Sequence, residues 1–132
     1  MLLNCTNHPY GNWTEPMKEA AEKLYGEVVE VPFPPVAPAW NESDLRREVE
    51  AYAARIESFR ADAVLAAGEF SFLFMLVDKL LADGENVLCS CSVRNTVEVI
   101  NPDGSSEKKS VFVFEGFRPY AHYTIKEATD GE

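Results

Sequence analysis

The sequence predicts an α/β fold with a mostly parallel sheet, and three features of the chain indicate it. Short apolar runs alternate with segments of helical periodicity over residues 1–93, an order typical of parallel strands joined by crossover helices. The run ADAVLAA at 61–67 is almost entirely apolar, as central strands covered on both faces are. After residue 95, two apolar runs flank the turn sequence NPDGSSEKK, which indicates an antiparallel hairpin. We therefore expect a Rossmann-like three-layer sandwich with a C-terminal β-hairpin.

Each expected element has a local signal for where it begins or ends. Thr14, Glu15 and Pro16 have the residue types of a helix start, and glycines close the first and third helices. Four prolines in 32–38 exclude regular structure there. The expected strands are 2–6, 27–31, 61–67, 86–93, 96–100 and 110–117, and the expected helices are 15–24, Ser43 (or Asn41) to Phe59 and 70–82. A single domain is expected over 1–120, followed by a polar tail over 121–132.

Composition and charge exclude several classes of partner. The chain has 132 residues, 46% of them hydrophobic, and a formal net charge of −10. Proteins that bind duplex DNA, long RNA or anionic membranes need a basic surface that releases counterions from phosphates. The N-terminus lacks a basic segment followed by an apolar one, and no run approaches the roughly 18–20 apolar residues of a membrane span. We expect a cytoplasmic protein that binds neither duplex DNA nor membranes.

Cysteine and histidine usage predicts neither disulfides nor a metal or cofactor. The chain has an odd number of cysteines, Cys5, Cys89 and Cys91, which does not indicate a disulfide framework. Cys89 and Cys91 are two residues apart in an expected strand, so their side chains point the same way. We expect three free thiols in a reducing compartment. His8 and His122 are the only histidines, and there is no CxxC pair, so a zinc site would lack ligands.

Polar side chains follow three of the expected strands at one edge of the sheet. In open α/β sheets, ligands bind beyond the carboxyl ends of the strands, where the strand order reverses. This rule selects residues 6–8 after strand one, 68–71 after strand three and 92–95 after strand four. The candidate ligand-binding residues are Thr6, Asn7, Trp13, Gly68, Glu69, Phe70, Ser92 and Asn95, and the candidate catalytic residues are His8, Ser71 and Arg94.

The residue types at this edge suggest particular contacts. An imidazole at His8 can act as an acid, a base or a hydrogen-bond donor. The guanidinium of Arg94 can hold a phosphate through two parallel hydrogen bonds. Gly68 lets backbone approach a ligand, and the amides that follow it at a helix start suit an anion. Trp13 and Phe70 could stack on a base.

Each of these residues also has a purely structural explanation. Asn7 could form a turn with its own backbone, and Gly68 could simply turn the chain. Glu69 could favour the helix dipole rather than bind a ribose or an adenine amino group. Arg94 could make a surface ion pair, and the aromatic rings could be core residues. There is no GxGxxG, GxxxxGK[ST] or GxSxG motif, and a Cys5–His8 pair would lack an orienting third member.

Four features of the chain together resemble a known family. They are a polar end to strand one, the run AAGEFSFLFMLVDKL that leads into helix three, a fourth strand that closes on SVR, and a terminal hairpin. Over roughly residues 1–118 the chain resembles the compact CRISPR-associated Rossmann-fold (CARF) proteins, which include small stand-alone ring nucleases. The resemblance implies a homodimer that binds a cyclic oligoadenylate across its two-fold axis in antiviral signalling. Some members cleave the ring without metal, by attack of a ribose 2′-hydroxyl on the neighbouring phosphate.

Matched onto this chain, the resemblance places binding residues in the loops after strands one, three and four. The chain departs from the pattern because many relatives carry a lysine or several basic residues there, whereas this chain offers Arg94 and His8. The apolar run FSFLFMLVDKLL predicts that helix three or its neighbours form the dimer surface. The alternatives are a non-catalytic dimeric adaptor with a vestigial pocket and a flavodoxin-like mononucleotide binder, the latter disfavoured by the missing hydroxyl-rich phosphate loop.

Overall fold

The structure, a computed structural model, describes residues 1–125 and contains five strands and three α-helices in that range. In chain order these are β1 (Leu2–Cys5), α1 (Glu15–Tyr25), β2 (Val28–Glu30), α2 (Glu42–Ser58), β3 (Ala63–Ala66), α3 (Phe70–Ala82), β4 (Val87–Ile100) and β5 (Ser106–Pro119). A short 3₁₀ turn, Tyr10–Asn12, precedes α1. Residues 121–125 of the expected tail have no regular structure, and the rest of that tail lies outside the described residues.

The sheet has the order β2-β1-β3-β4-β5, and all neighbours are parallel except β4 and β5. The chain moves from β1 to β2 through α1 and then returns past β1 to β3 through α2. Two separate hydrophobic clusters lie on the two faces of the sheet. One contains Trp13 and Ala21 of the α1 side, and the other contains Tyr52 of α2 and Phe72 of α3. The predicted Rossmann-like three-layer sandwich with a C-terminal antiparallel hairpin is confirmed.

The starts of the helices follow from local polar groups. Helix α2 begins after Asn41, whose side chain accepts from the Asp44 amide while the Asp44 carboxylate accepts from the Asn41 amide. This reciprocal capping box satisfies two backbone donors at once, and it selects Asn41 over Ser43 as the cap. Helix α1 has Pro16 in its first turn, where a missing amide hydrogen costs nothing. In residues 1–125, no helix is long and apolar enough to cross a membrane.

The fourth strand differs from the prediction. Instead of ending near residue 93, β4 continues without interruption to Ile100 and is itself the first strand of the hairpin. The separate hairpin strand expected at 96–100 therefore does not exist. The polar run Arg94-Asn95-Thr96 had the composition of a loop, but a strand exposed on both faces accommodates polar side chains at every position. One strand replaces the two that were predicted.

Where β4 and β5 leave the sheet, a β-bulge changes their register. Cys91 pairs with Gly116 but Ser92 pairs with Phe114, so Glu115 is an extra residue on β5. A bulge increases the local twist and re-aims side chains. Because of it, Phe114 and Phe117 point to the same face, with ring centroids 5.1 Å apart. Residues 92–114 beyond the bulge, here called the ribbon, are paired only with each other among the described residues.

Gly68 shows how tightly the β3–α3 turn packs. A Cβ atom at this position would overlap the ring of Phe33, a half-buried residue of the proline-rich segment. That ring in turn lies edge-on to Phe72 of α3, with centroids 5.2 Å apart. The absence of a side chain at Gly68 therefore lets the proline-rich segment close over the α3 side of the core.

We predict that Gly68→Ala lowers the free energy of unfolding by about 1–3 kcal/mol, the usual cost of overpacking. The penalty should shrink when Gly68→Ala is measured in a Phe33→Leu background, because the smaller side chain leaves room for the new methyl group. Urea unfolding of the four proteins in this double-mutant cycle checks the coupling. Gly11→Ala is the matched control, since nothing lies within 4 Å of a Cβ there. Equal penalties in both backgrounds would contradict the packing explanation.

Candidate functional site

A pocket of about 220 Å³ lies on the α1 side of the sheet, at the carboxyl edge where the strand order reverses between β1 and β3. We call it the switch-point pocket. Strands β4 and β5 form one wall, to which Ser90, Ser92, Phe112 and Phe114 contribute from the same face of the two strands. The loop after β1 and the first turn of α1 form the opposite wall, and Leu65 and Ala67 of the β3 end complete the lining.

The loop after β1 is held by a hydrogen-bond network centred on a buried amide. Asn4 is fully buried in β1, and its Nδ2 donates to the His8 carbonyl at 2.9 Å and to the Glu30 carboxylate at 3.0 Å. Thr6 Oγ1 donates to Asn4 Oδ1 at 2.7 Å and accepts from the His8 amide at 3.1 Å. The indole of Trp13 donates to the same His8 carbonyl at 3.0 Å. The loop is thereby fixed with the exposed His8 side chain at the pocket wall.

Four of the predicted site residues line this pocket, but two of them have structural duties as well. Thr6, His8, Trp13 and Ser92 contribute to its wall. Thr6 forms the hydroxyl turn just described, and Trp13 is 8% exposed and packs in the α1 cluster. His8 and Ser92 keep exposed side chains and are the predicted residues best placed to contact a ligand. Asn7 is exposed and does not line the pocket.

The predicted anion site at the start of α3 is already occupied by the chain itself. The carboxylate of Glu69 accepts from the Ser71 amide at 3.1 Å, from the Phe72 amide at 2.9 Å and from the Ser71 hydroxyl at 2.7 Å. The Phe72 amide above all, together with Ser71, holds the pKa of Glu69 below its usual value. A helix N-terminus attracts anions through these free amides, and here Glu69 fills that place.

The segment 68–71 therefore does not join the switch-point pocket. The Phe33 ring leaves no room for a side chain at Gly68. The Ser71 hydroxyl donates to Glu69 rather than facing His8. Phe70, 86% exposed, lines a different groove of about 1250 Å³ between α3 and residues 120–125. The expectation that the loops after strands one and three share a single site is wrong for these four residues, because the start of α3 faces the other side of the sheet.

Arg94 and Asn95 were expected in a loop after strand four, and both lie inside β4 instead. Arg94 pairs with Phe112 across the ribbon, and its Nε and Nη2 donate to Ser110 Oγ at 3.0 and 2.9 Å. Side chains alternate along a strand, so Arg94 shares a face with Ser92 while Asn95 points to the opposite face. Arg94 thus lies at the rim of the switch-point pocket, two residues beyond Ser92, and Asn95 faces away from the pocket.

Most of the wall formed by the hairpin and the start of α1 was not predicted from the sequence. Phe112, 65% exposed, and Phe114 were assigned only to a hairpin strand. Thr14 and Met17 of the α1 start also line the pocket. The signal was present in the alternation of VFVF and of CSCS, which puts both phenylalanines and both serines on single faces. The sequence did not show that β4 continues to Ile100, which brings the serines and phenylalanines close to the loop after β1.

Other chemistry at this edge is limited. Cys5 points into the α2–α3 cluster, where burial raises the pKa of its thiol to about 12. It therefore lies on the opposite side of the sheet from the pocket that His8 lines. In the described part of the chain, no group of three or more His, Cys, Asp and Glu side chains could hold a metal ion.

These observations define an α/β protein with a doubly wound 2-1-3-4-5 sheet and a small polar-aromatic pocket at its switch point. Residues 1–118 match the sequence profile of the uncharacterized protein MJ1673 family, and the chain belongs to that family. No curated protein matches the chain. The family description names no ligand or reaction, so the chemistry of the site must be argued from its own residues.

We predict that the three thiols of the native protein differ sharply in reactivity. Cys5, Cys89 and Cys91 are all free, but Cys5 is fully buried and the other two are half-buried. Burial raises the pKa of Cys5 to about 12, so its thiol stays protonated at pH 8 and is a poor nucleophile. Alkylation followed by peptide mass spectrometry should label Cys5 only after denaturation. Labelling of Cys5 in the native protein as fast as Cys91 would contradict its burial.

Proposed function

We propose that the switch-point pocket binds one nucleotide unit of a cyclic oligoadenylate. The observation that carries the proposal is the pocket at the carboxyl edge, which is lined by His8, two serines and two phenylalanines. Ligand sites of open α/β sheets occupy this place. The CARF resemblance of the sequence supplies the ligand class and, with it, a role in CRISPR antiviral signalling.

The size and lining of the pocket suit one nucleoside rather than a whole ring. Its 220 Å³ is below the roughly 300–1,000 Å³ of sites that enclose drug-sized ligands. A base can stack on the exposed ring of Phe112, while the Ser90, Ser92 and Thr14 hydroxyls offer donors and acceptors for base edges and ribose. The remainder of the ring would lie outside the pocket.

Arg94 supports a phosphate contact at the rim. Arg94 lies two residues beyond Ser92 on the same face of β4, and its guanidinium donates to the neutral hydroxyl of Ser110. A phosphate oxygen is a stronger acceptor than this hydroxyl, because charge-assisted hydrogen bonds are roughly twice as strong as neutral ones. A ring whose base enters the pocket would bring a phosphate towards Arg94 in place of Ser110.

The arrangement favours binding over cleavage. Among the described residues that line the pocket, His8 is the only one with a titratable side chain. Ser71, the other candidate for chemistry beside Arg94, is bound to Glu69 outside the pocket. General acid–base cleavage by attack of a 2′-hydroxyl needs groups that take up and supply protons on both sides of the phosphate. We therefore propose a receptor for the ring.

We predict that Arg94→Ala weakens binding of the preferred ring by about 1.5–3 kcal/mol, or about 10- to 150-fold, the range for a hydrogen bond to a charged group. Titration calorimetry with cyclic tri-, tetra- and hexa-adenylate measures the effect. Lys108→Ala is the matched control: it removes the same charge from the same face, about 13 Å further along the strand. Equal losses in the two variants would show that overall charge, and not a contact at the rim, governs affinity.

We predict that the wild-type protein binds at least one of these rings and leaves it intact during incubation in chelator. Chromatography of the nucleotides after incubation detects linear products. Binding to none of the three rings would overturn the proposal. Linear products from wild type that disappear with His8→Ala would overturn the receptor form of it and assign His8 a catalytic role, because such a group acts mainly in the transition state.

One observation favours a second function, that of a non-catalytic interaction protein. The groove between α3 and residues 120–125 is apolar and wide, and it exposes Phe70 at 86%, Phe74 at 78% and Ile125 at 84%. Large exposed apolar patches mark interaction sites in folded proteins. Failure to bind any ring would leave this adaptor function as the better explanation of the fold.

A further inference from the structure

The ribbon has little to stabilise it within one chain. Strand β4 pairs with β3 only at Val87 and Leu88, while its pairing with β5 continues out to Ile100. A two-stranded hairpin is at best marginally stable in water, and a third strand or a packed face is needed for independent stability. Residues 92–114 therefore need a surface to pack against.

One face of the ribbon consists largely of valine. Side chains alternate along each strand, and the register places five valines on the same face, the one continuous with the α2–α3 side of the sheet. Four of these valines are 40–42% exposed and the fifth is half-buried. We call this surface the valine face; its members are Val93, Val97, Val99, Val111 and Val113.

The connection between β4 and β5 explains why the valine face is uncovered. Each earlier pair of consecutive strands is joined by a helix that packs on the sheet, but β4 turns directly into β5 through residues 101–105. Within residues 1–125, no helix follows β4 to cover this side. β-branched residues favour strands because they pack against a covering surface, and here that surface is missing from the single chain.

The charge of the ribbon indicates what covers it. The ribbon, residues 92–114, carries three basic and three acidic residues and no net charge, so the remainder of the chain carries the whole net charge of −10. Two copies would repel each other across most of their surfaces, and the ribbon is where that repulsion is weakest. At its outer end the valine face carries Lys109 and Glu107, 3.8 Å apart. A patch that holds both signs can pair with itself, as a two-fold interface requires.

We propose that the valine face packs against the valine face of a second copy of this chain, and that the two ribbons form the core of a homodimer. Each valine face then covers the other, which supplies the packing surface that each ribbon lacks. The surface differs from the helix-three face, which the sequence suggests as the dimer contact. The proposal is independent of the ligand, and it would stand if the switch-point pocket bound no cyclic oligoadenylate.

The test compares Val97→Glu with Thr96→Glu in the full chain. The two positions are adjacent, the added charge is the same, and only Val97 lies on the valine face. Light scattering at tens of micromolar should give twice the 14.8 kDa chain mass for wild type and Thr96→Glu. It should give the single-chain mass for Val97→Glu. Circular dichroism checks that each protein is folded.

Two further variants keep the result decisive. Val97→Thr with Val111→Thr keeps side-chain shape without adding charge, and it should weaken dimerisation at least tenfold if Val97→Glu does not fold. Phe74→Glu alters the exposed α3 face and should remain dimeric. A monomeric wild type, a dimer that survives both valine variants, equal dissociation by Thr96→Glu, or dissociation by Phe74→Glu alone would each overturn the proposal.

Discussion

The pocket depends on one buried amide. Asn4 lies in the interior strand β1, where a polar side chain is costly unless its hydrogen bonds are made. Both Nδ2 and Oδ1 are satisfied, and the partners belong to β2, to Thr6 and to the loop carbonyl of His8. The same amide therefore ties two strands to the loop that follows them. Because Trp13 donates to that carbonyl too, the segment that leads into α1 is tied to the loop after β1.

The second determinant is the direct passage from β4 to β5. Because no helix separates these strands, they lengthen past the sheet and present two unlike faces. One face carries Ser92, Phe112 and Phe114 over the β1 loop and completes the switch-point pocket. The other carries the valines. A single backbone thus forms the wall of the candidate site on one side and an apolar surface on the other, so the position of the ribbon bears on both.

The first 85 residues were predictable because each element has its own strong signal. Apolar periodicity, the Asn41 cap and glycines at turns place α1, α2, β3 and α3 within about two residues, and β-α-β order then gives a parallel sheet. The ribbon was predicted only in part: strands were expected at 96–100 and 110–117, but the polar run Arg94-Asn95-Thr96 has the composition of a loop and concealed that β4 is continuous. The site prediction was wrong at the start of α3 for a different reason. The sequence shows that Glu69 lies at a helix start, but it does not show that the Glu69 carboxylate accepts hydrogen bonds from the Ser71 and Phe72 amides.

Charge distribution connects the site to the rest of the molecule. With a net charge of −10, the chain has no general attraction for anions, so a phosphate must be held by local donors. The α3 amides are taken by Glu69, and Arg94 stands on the ribbon, the part of the chain that is closest to neutral. An anionic ligand that enters from the ribbon side meets less repulsion than one that approaches the acidic body. The ribbon is therefore the side from which both an anionic ligand and a second copy of this acidic chain can approach.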